Sequence, residues 1–359
     1  MSKPFKERVQ KFWEAFSKEE AEVRMMMDNK VDGNILIKFV SNILNLAFED
    51  PFFEMGINDE GKYELIMSPS GNRAILLELH YWLQRAPENL WEKWNFYSAK
   101  PGHPDSDFSM EMYDISISKE DVTIFYEVDE ERPKINIEIY SPKLMELEEN
   151  DRYNMFFIFL DQFIGELYTM EYIGYIDFVE TQQLKNTVSL SHLKELINNT
   201  IENKEWSRND NPYESYTAYQ REATEEENWS LREDIYIGYT ASTAILNSFY
   251  RKEDDLFNDF EQNGVILGYL FYENINVPQK EIVSVRAEIE DKILAITEPH
   301  GIANSMGGAT GFHFSYIDFI IFDYDAFLKI AKEVLSVYKF EEIGFAYYVS
   351  GSEPIWFNN

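Results

Sequence analysis

Hydrophobic and polar residues alternate along three short segments in the first half of the chain. Ile115 and Ile117 alternate with polar residues, and the same period of two runs through 122–128 and 135–139. Such alternation is typical of antiparallel strands that turn one face toward the core and the other toward water. The pattern therefore predicts an antiparallel meander across 115–139.

Helical spacing of apolar residues flanks this meander on both sides. Apolar residues three or four positions apart predict helices at 5–16, 33–48 and 151–169. Helices combined with antiparallel strands indicate a mixed α+β unit. We therefore predict an N-terminal α+β domain that covers residues 1–204.

Strand and helix patterns alternate more regularly after residue 230. The predicted order is strand 234–239, helix 246–261, strand 265–272, helix 279–297, strand 311–322, helix 324–338 and strand 343–349. This order favours a ferredoxin-like or related α/β sandwich with helices against one face of a sheet. The fold class expected for the whole chain is α+β, and the C-terminal domain is expected at 231–359.

The segment 205–230 between the two predicted domains is polar and rich in turn-forming residues, which predicts a linker or an edge strand. Tyr213, Tyr216 and Trp229 interrupt it as isolated aromatic residues. Aromatic side chains anchor many protein interfaces, so these three are candidate binding residues. Burial in the chain's own core is the alternative role for them.

The composition adds an electrostatic constraint. The 359 residues include 65 Asp and Glu against 32 Lys and Arg, which gives a formal net charge of −33. A field of that sign repels nucleic acid and anionic lipid and attracts basic protein surfaces. The aromatic content of 16% favours a packed core over disorder. We therefore expect a basic protein partner, and neither a nucleic-acid nor a membrane partner.

The sequence contains no cysteine, which excludes disulfides, thiolate zinc sites and cysteine nucleophiles. The first residues form a charged amphipathic segment without the apolar core of a signal peptide. No segment approaches the roughly 18 uninterrupted apolar residues that span a bilayer. A cytoplasmic protein is the simplest interpretation.

The glycine-rich segment 301–311 is the sharpest local motif. Gly307, Gly308 and Gly311 could bring backbone amides close to an anion, which makes them candidate binding residues. The segment lacks the Gly-Lys-Ser/Thr of a phosphate-binding loop and leads into a strand rather than a helix. We therefore expect a turned helix-to-strand connection that offers a contact surface.

Acid–base chemistry near this segment would draw on His300, His313 and Asp318. On a strand, His313 and Asp318 would face opposite sides, which argues against a direct pair. No spacing typical of metal ligands occurs around them or elsewhere. The sequence predicts neither a metal site nor a cofactor.

Several short segments of the sequence resemble segments of known proteins. They are Phe12-Trp13-Glu14-Ala15-Phe16, the segment 61–66 followed by Ser70-Gly71, Ala86-Pro87 followed by Trp94 and Lys100-Pro101, and 307–311 followed by Tyr316-Ile317-Asp318. Together they resemble a loosely defined group of uncharacterised bacterial proteins that lie in the cytosol. The resemblance implies a bacterial cytosolic α+β protein and carries over no catalytic residue.

These observations predict an acidic intracellular protein that binds a basic protein, in the manner of an immunity-type inhibitor of a toxin or nuclease. An enzyme with a site near 301–311 is the first alternative. A structural module whose partner is a second copy of itself is the next alternative.

Overall fold

The structure is a computed structural model, and it describes residues 3–183, 185–208, 211–223, 230–349 and 351–358. The chain forms two compact units. Unit 1 comprises Met1–Pro51, His80–Leu90 and Asn211–Asn359, and unit 2 comprises Phe52–Leu79 and Trp91–Asp210. Both units mix helices and sheets, so the predicted α+β class is confirmed.

The elements of the described residues are numbered in chain order. The α-helices are α1 (Phe5–Asp28), α2 (Gly33–Leu44), α3 (Arg73–Leu83), α4 (Glu149–Ile164), α5 (Glu166–Tyr172), α6 (Leu190–Asn203), α7 (Thr243–Arg251), α8 (Asp255–Asn263), α9 (Ile282–Thr297) and α10 (Tyr324–Leu335). The strands are β1 (Phe53–Ile57), β2 (Tyr63–Met67), β3 (Trp94–Tyr97), β4 (Ser109–Met112), β5 (Ile115–Ser118), β6 (Thr123–Val128), β7 (Ile135–Tyr140), β8 (Ile173–Phe178), β9 (Thr187–Val188), β10 (Thr217–Gln220), β11 (Ile235–Thr240), β12 (Ile266–Glu273), β13 (Ala303–Gly311), β14 (Phe314–Ile321), β15 (Ile343–Tyr347) and β16 (Ile355–Trp356). None of the helices in this part of the chain has the length and apolarity needed to cross a bilayer.

Unit 1 is built on a seven-stranded sheet in the order β10-β11-β13-β14-β12-β15-β16. Every neighbouring pair in it is antiparallel. Its central part runs β12-α9-β13-β14-α10-β15 along the chain with spatial order β13-β14-β12-β15. That connectivity is the ferredoxin-like one, so the predicted sandwich is confirmed.

Helices cover both faces of the unit 1 sheet, which goes beyond the one-faced arrangement that the pattern predicts. On one face, Ile317 and Phe319 of β14 pack with Ile293 of α9 and Phe327 of α10. On the other face, Phe249 of α7 contacts Tyr269 and Tyr348. Strands β12, β13 and β14 are buried nearly throughout, as expected when neither face of a sheet meets water.

The first residues of the chain belong to unit 1 rather than to unit 2. The Phe5 amide donates a hydrogen bond to the Gly264 carbonyl at 2.9 Å, and the Phe5 ring lies 6.0 Å from that of Phe322. Both units are therefore discontinuous, whereas the sequence suggests a continuous domain at 1–204. The helical period of 5–16 fixes which face of α1 is apolar, but it does not identify what that face covers.

Unit 2 contains smaller sheets, and its meander differs from the predicted one. β6 and β7 form the expected antiparallel hairpin in a sheet ordered β8-β7-β6-β9. β8 pairs with β7 in parallel, and β5 pairs with β4 instead of β6. The prediction of one meander across 115–139 is therefore wrong, because the 3₁₀ turn Lys119–Asp121 separates β5 from β6.

The predicted helix 151–169 is two helices with a break at Gly165. Gly165 has φ +93°, a backbone conformation that glycine adopts far more readily than other residues, and α4 ends there. A Cβ atom on Gly102 would lie 2.5 Å from the Gly165 nitrogen, so the two glycine backbones pack directly together. The break places the start of α5 beside the segment that follows β3, and these elements form the cavity described next.

Candidate functional site

Unit 2 contains a cavity of about 780 Å³ between its first sheet and the helices α4 and α5. Its lining comes from the ends of β1 and β2, from the segment after β3, and from α4, α5 and the first residue of β8. The lining residues are Phe52, Glu54, Ser68, Ser70, Gly71, Lys100, Asn154, Phe157, Ile158, Asp161, Glu166, Thr169, Met170 and Ile173. The volume lies within the range of small-molecule sites.

One face of α4 supplies the wall of this cavity. Asn154, Phe157, Ile158 and Asp161 follow the spacing i, i+3, i+4, i+7, so they lie in one stripe along the helix. The opposite stripe packs in the unit 2 core, where Phe156 and its neighbours are fully buried. Phe157 and Ile158 are instead 40% and 39% exposed. Helix α4 therefore has two apolar faces, one for the core and one for the cavity.

Glu166 begins α5 and is 5% exposed. Its carboxylate accepts a hydrogen bond from the Ser68 hydroxyl at 2.5 Å and another from the Lys100 amide at 2.8 Å. Both donors are neutral groups, and no ion pair to the Glu166 carboxylate occurs among the described residues. These two bonds fix the loop after β2 and the segment after β3 around the cavity.

Asp161 is the second carboxyl group of the cavity. Its Oδ1 accepts a hydrogen bond from the Thr169 hydroxyl at 2.5 Å. Burial raises the pKa of Asp161 to about 7; the Thr169 hydrogen bond opposes this rise, the Glu166 carboxylate adds to it, and the Lys100 charge opposes it. A carboxyl group with such a pKa exchanges its proton near neutral pH, as binding and acid–base groups do.

Lys100 brings a positive charge to the rim of the cavity. Its ammonium group lies 2.8 Å from Glu54 Oε1, so the lysine and this carboxylate form an ion pair. Beyond the pair, the cavity holds the Glu166 carboxylate and the titrating Asp161. The balance of charge in the cavity is therefore negative, and the arrangement can hold a cation or exchange a proton with a bound molecule.

The glycine-rich segment is not the loop that the sequence suggests, and that prediction is wrong. Gly307, Gly308 and Gly311 lie in β13, an interior strand between β11 and β14. A Cβ atom on Gly307 would lie 2.2 Å from the Tyr239 carbonyl oxygen, and one on Gly311 would lie 2.1 Å from Asp234 Oδ2. Close packing within the sheet accounts for these glycines.

The predicted acid–base residues are not brought together. His300 follows α9, and His313 lies in the turn between β13 and β14; both are exposed. Since a strand rises about 3.3 Å per residue, the length of β13 separates the two histidines by roughly 25 Å. Asp318 is buried in β14, where its carboxylate pairs with Arg232 at 2.5 Å. A shared catalytic site for these three residues is therefore excluded.

The aromatic residues of the predicted connecting segment have different environments. Tyr213 is buried, whereas Tyr216 is exposed and its ring lies 5.2 Å from that of Tyr239. Tyr216 immediately precedes β10, one of the two edge strands of the unit 1 sheet, which agrees with the edge strand expected within 205–230. Trp229 lies outside the described residues.

Sequence reasoning missed the cavity residues, although part of their pattern was visible. The stripe from Asn154 to Asp161 is readable as one face of a helix, and an acidic residue at its end is an available signal. Ser68 and Lys100 lie in irregular segments, where no periodicity marks a side chain. Over the described ranges, no group of three or more His, Asp or Glu residues has the arrangement of a metal site.

Comparison with known proteins adds no family to this picture, because no family model, no curated protein and no solved structure matches the chain.

Proposed function

We propose that this chain is an acidic cytoplasmic binding protein that engages a basic protein partner, as an immunity-type inhibitor of a bacterial toxin or nuclease does. The observation that carries the proposal is the net charge of −33. Even if every Lys and Arg neutralised one carboxylate, 33 negative charges would be left without a cation. A summed field of this size raises the association rate with a positive partner and repels negative ones.

The start of α4 illustrates how these charges are presented. Glu146, Glu148 and Glu149 lie close together in sequence and are exposed. In the described ranges, none of them belongs to an ion pair. A basic partner would gain attraction there without first displacing an internal cation.

The proposal predicts a complex whose stability falls with salt. The tagged protein is used to isolate partners from the native host at 50 mM NaCl, and each purified partner is then titrated at 50 and 300 mM NaCl. We expect a basic protein whose Kd rises at least about tenfold over this range, because the ions screen the attraction. Co-expression should also protect cells from that partner's toxicity.

Charge variants sharpen this test. The triple substitution Glu146→Gln, Glu148→Gln, Glu149→Gln should slow association, whereas Glu146→Asp, Glu148→Asp, Glu149→Asp retains the charge and should leave the rate unchanged. If no basic protein is retained at 50 mM NaCl, or if the Kd of the complex is independent of salt, the proposal is wrong.

Helix α2 favours a second candidate function, self-association. A surface helix normally turns polar residues toward water, yet Ile35 and Ile37 of α2 are 58% and 53% exposed. A second copy of the chain would bury these side chains in a symmetric interface. Because both copies carry the same large negative charge, self-association should strengthen with salt, opposite to the binding of a basic partner.

The self-association candidate predicts a dimer in sedimentation experiments at 100 µM protein and 300 mM NaCl. Ile35→Glu and Ile37→Glu should each convert it to a monomer by placing a charge in the apolar interface. Asn42→Glu, at an exposed polar position of the same helix, adds the same charge and serves as the control. A wild-type protein that stays monomeric under these conditions would exclude this candidate.

A further inference from the structure

The cavity of unit 2 has a feature that binding of a basic protein at the surface does not require. Among the described residues, the Asp161 carboxyl has one hydrogen-bond partner. It is the Thr169 hydroxyl, which donates to Oδ1. Asp161 lines the cavity, and no hydrogen bond to its Oδ2 occurs among the described residues. A carboxylate oxygen in a recess of this kind is an acceptor available to a ligand.

The charges around Asp161 determine the sign of the charge on a suitable ligand. The Lys100 ammonium is already paired with Glu54. The Glu166 carboxylate receives its hydrogen bonds from two neutral donors, and its charge adds to the negative potential at Asp161. An anionic ligand would face two carboxyl groups without a free cation beside them. A cation would instead gain charge-assisted hydrogen bonds in a partly desolvated site, where they are strongest.

The apolar walls of the cavity determine the uncharged part of the ligand. Phe157 and Ile158 lie one turn before Asp161 on the same face of α4, and Met170 and Ile173 line the cavity from α5 and β8. Such walls favour a hydrocarbon group over a bare metal ion.

We propose that this cavity binds a small organic cation, a primary alkylammonium or arylalkylammonium. Its ammonium group donates to the Asp161 carboxylate, with the Glu166 carboxylate close by, and its hydrocarbon part packs against Phe157 and Ile158.

Binding in this mode requires Asp161 in its charged form, so it is linked to proton release. The groups that set the charge at Asp161 are the Glu166 carboxylate, the Lys100 ammonium and the Thr169 hydroxyl. Because burial raises the pKa of Asp161 to about 7, the free protein holds a proton there at pH 6. An ammonium ligand should displace about one proton at pH 6 and close to none at pH 8.5.

Isothermal titration calorimetry with 2-phenylethylamine and n-hexylamine tests the proposal, with 2-phenylethanol and hexanoate as the neutral and anionic controls. Titrations at pH 6 in buffers of different ionisation enthalpy measure the proton release. We expect both amines to bind and both controls to fail. The Kd of the amines should fall about tenfold between pH 6 and pH 8.5.

Asp161→Asn should weaken amine binding by about 10- to 100-fold, the usual loss for a charged hydrogen bond, and should abolish the proton release. Asp151→Asn removes the same charge from the same helix outside the cavity and should leave the Kd unchanged. Far-ultraviolet circular dichroism of each variant establishes that it is folded. Equal binding of amine and alcohol, an equal effect of both substitutions, or no heat with either amine at millimolar concentration would overturn the proposal. The surface-binding proposal above is tested separately by its salt dependence.

Discussion

Replacement of Asp318 by Ala is expected to lower the free energy of unfolding by about 3–5 kcal/mol, the range for breaking one side of a buried ion pair. Asp318 and Arg232 are fully buried in unit 1. The guanidinium donates to the two carboxylate oxygens of Asp318, from Nη1 at 2.5 Å and from Nη2 at 3.2 Å. Removal of the carboxylate leaves the buried guanidinium without the counter-charge with which it pairs.

Aromatic rings around Arg232 limit how far the structure can relax after this substitution. The guanidinium carbon lies 4.9 Å from the ring centroids of Tyr269 and Tyr348 and 5.4 Å from that of Tyr316. Such rings attract a cation, but more weakly than a carboxylate does at hydrogen-bond distance. The rings therefore offset only part of the loss, and the expected effect remains large.

Urea unfolding of the Asp318→Ala variant measures this loss directly. The double substitution Arg232→Met, Asp318→Leu should recover most of the stability, because apolar groups of similar size replace both charges. Glu288→Ala is the control; it breaks the exposed Glu288–Lys292 pair and should change stability far less than Asp318→Ala does. An Asp318→Ala variant within 1 kcal/mol of wild type would contradict the prediction.

The C-terminal half of the fold was predictable because its signals are local. Strands such as β12 and β15 are continuous apolar segments bounded by turn residues, and helices such as α10 have one apolar face. Their alternation along the chain indicates an α/β sandwich, since connections in such sandwiches are short and follow few patterns, although the ferredoxin-like connectivity also requires β13. The α/β sandwich predicted for this half was therefore confirmed, although the predicted helix 246–261 is the two helices α7 and α8.

The strand β13 was missed because its sequence opposes the usual signals. Glycines are depleted in strands, and β13 has three of them at 307, 308 and 311. Gly311 lies against the Asp234 carboxylate, which accepts hydrogen bonds from the amides of His313 and Phe314. The requirement for glycine comes from residues almost 80 positions away in sequence, and no local pattern contains it.

The candidate site shows the same division between local and distant information. The face of α4 that carries Asp161 follows from helical spacing alone. The donors on Glu166 come from Ser68 and Lys100, which are 98 and 66 positions away. Their meeting depends on the break at Gly165 and on the close approach of Gly102, and sequence spacing cannot reveal such an approach.

Asp161→Asn is expected to stabilise the protein above neutral pH. Burial raises the pKa of Asp161 from 3.8 to about 7, so the folded state binds the proton more tightly than the unfolded state. The favourable contribution of the Asp161 carboxyl to the free energy of unfolding is fully present below pH 3.8 and is lost as the pH rises through 7. Above pH 7 the folded state must bury a carboxylate, at a cost of roughly 4 kcal/mol. An asparagine keeps the shape and the acceptor for Thr169 without this charge.

The advantage of the Asn variant over wild type should therefore grow with pH, by roughly 2 kcal/mol between pH 5.5 and pH 8.5. Urea unfolding at these two values measures it, and both lie above the isoelectric point of about 4.4. Asp151→Asn removes a charge from the same helix outside the cavity and serves as the control. A constant difference for Asp161→Asn, or a variant less stable than wild type at pH 8.5, would show that Asp161 is not a desolvated carboxyl.

Stabilisation by Asp161→Asn would also bear on why the chain has a carboxyl group at this position. A residue that lowers stability at neutral pH, and that an isosteric amide could replace, is typical of a site kept for binding or chemistry rather than for folding. The same substitution should then raise stability and weaken amine binding, whereas a purely structural aspartate would lose stability. Unfolding and calorimetry on one pair of variants, Asp161→Asn and Asp151→Asn, separate these two roles.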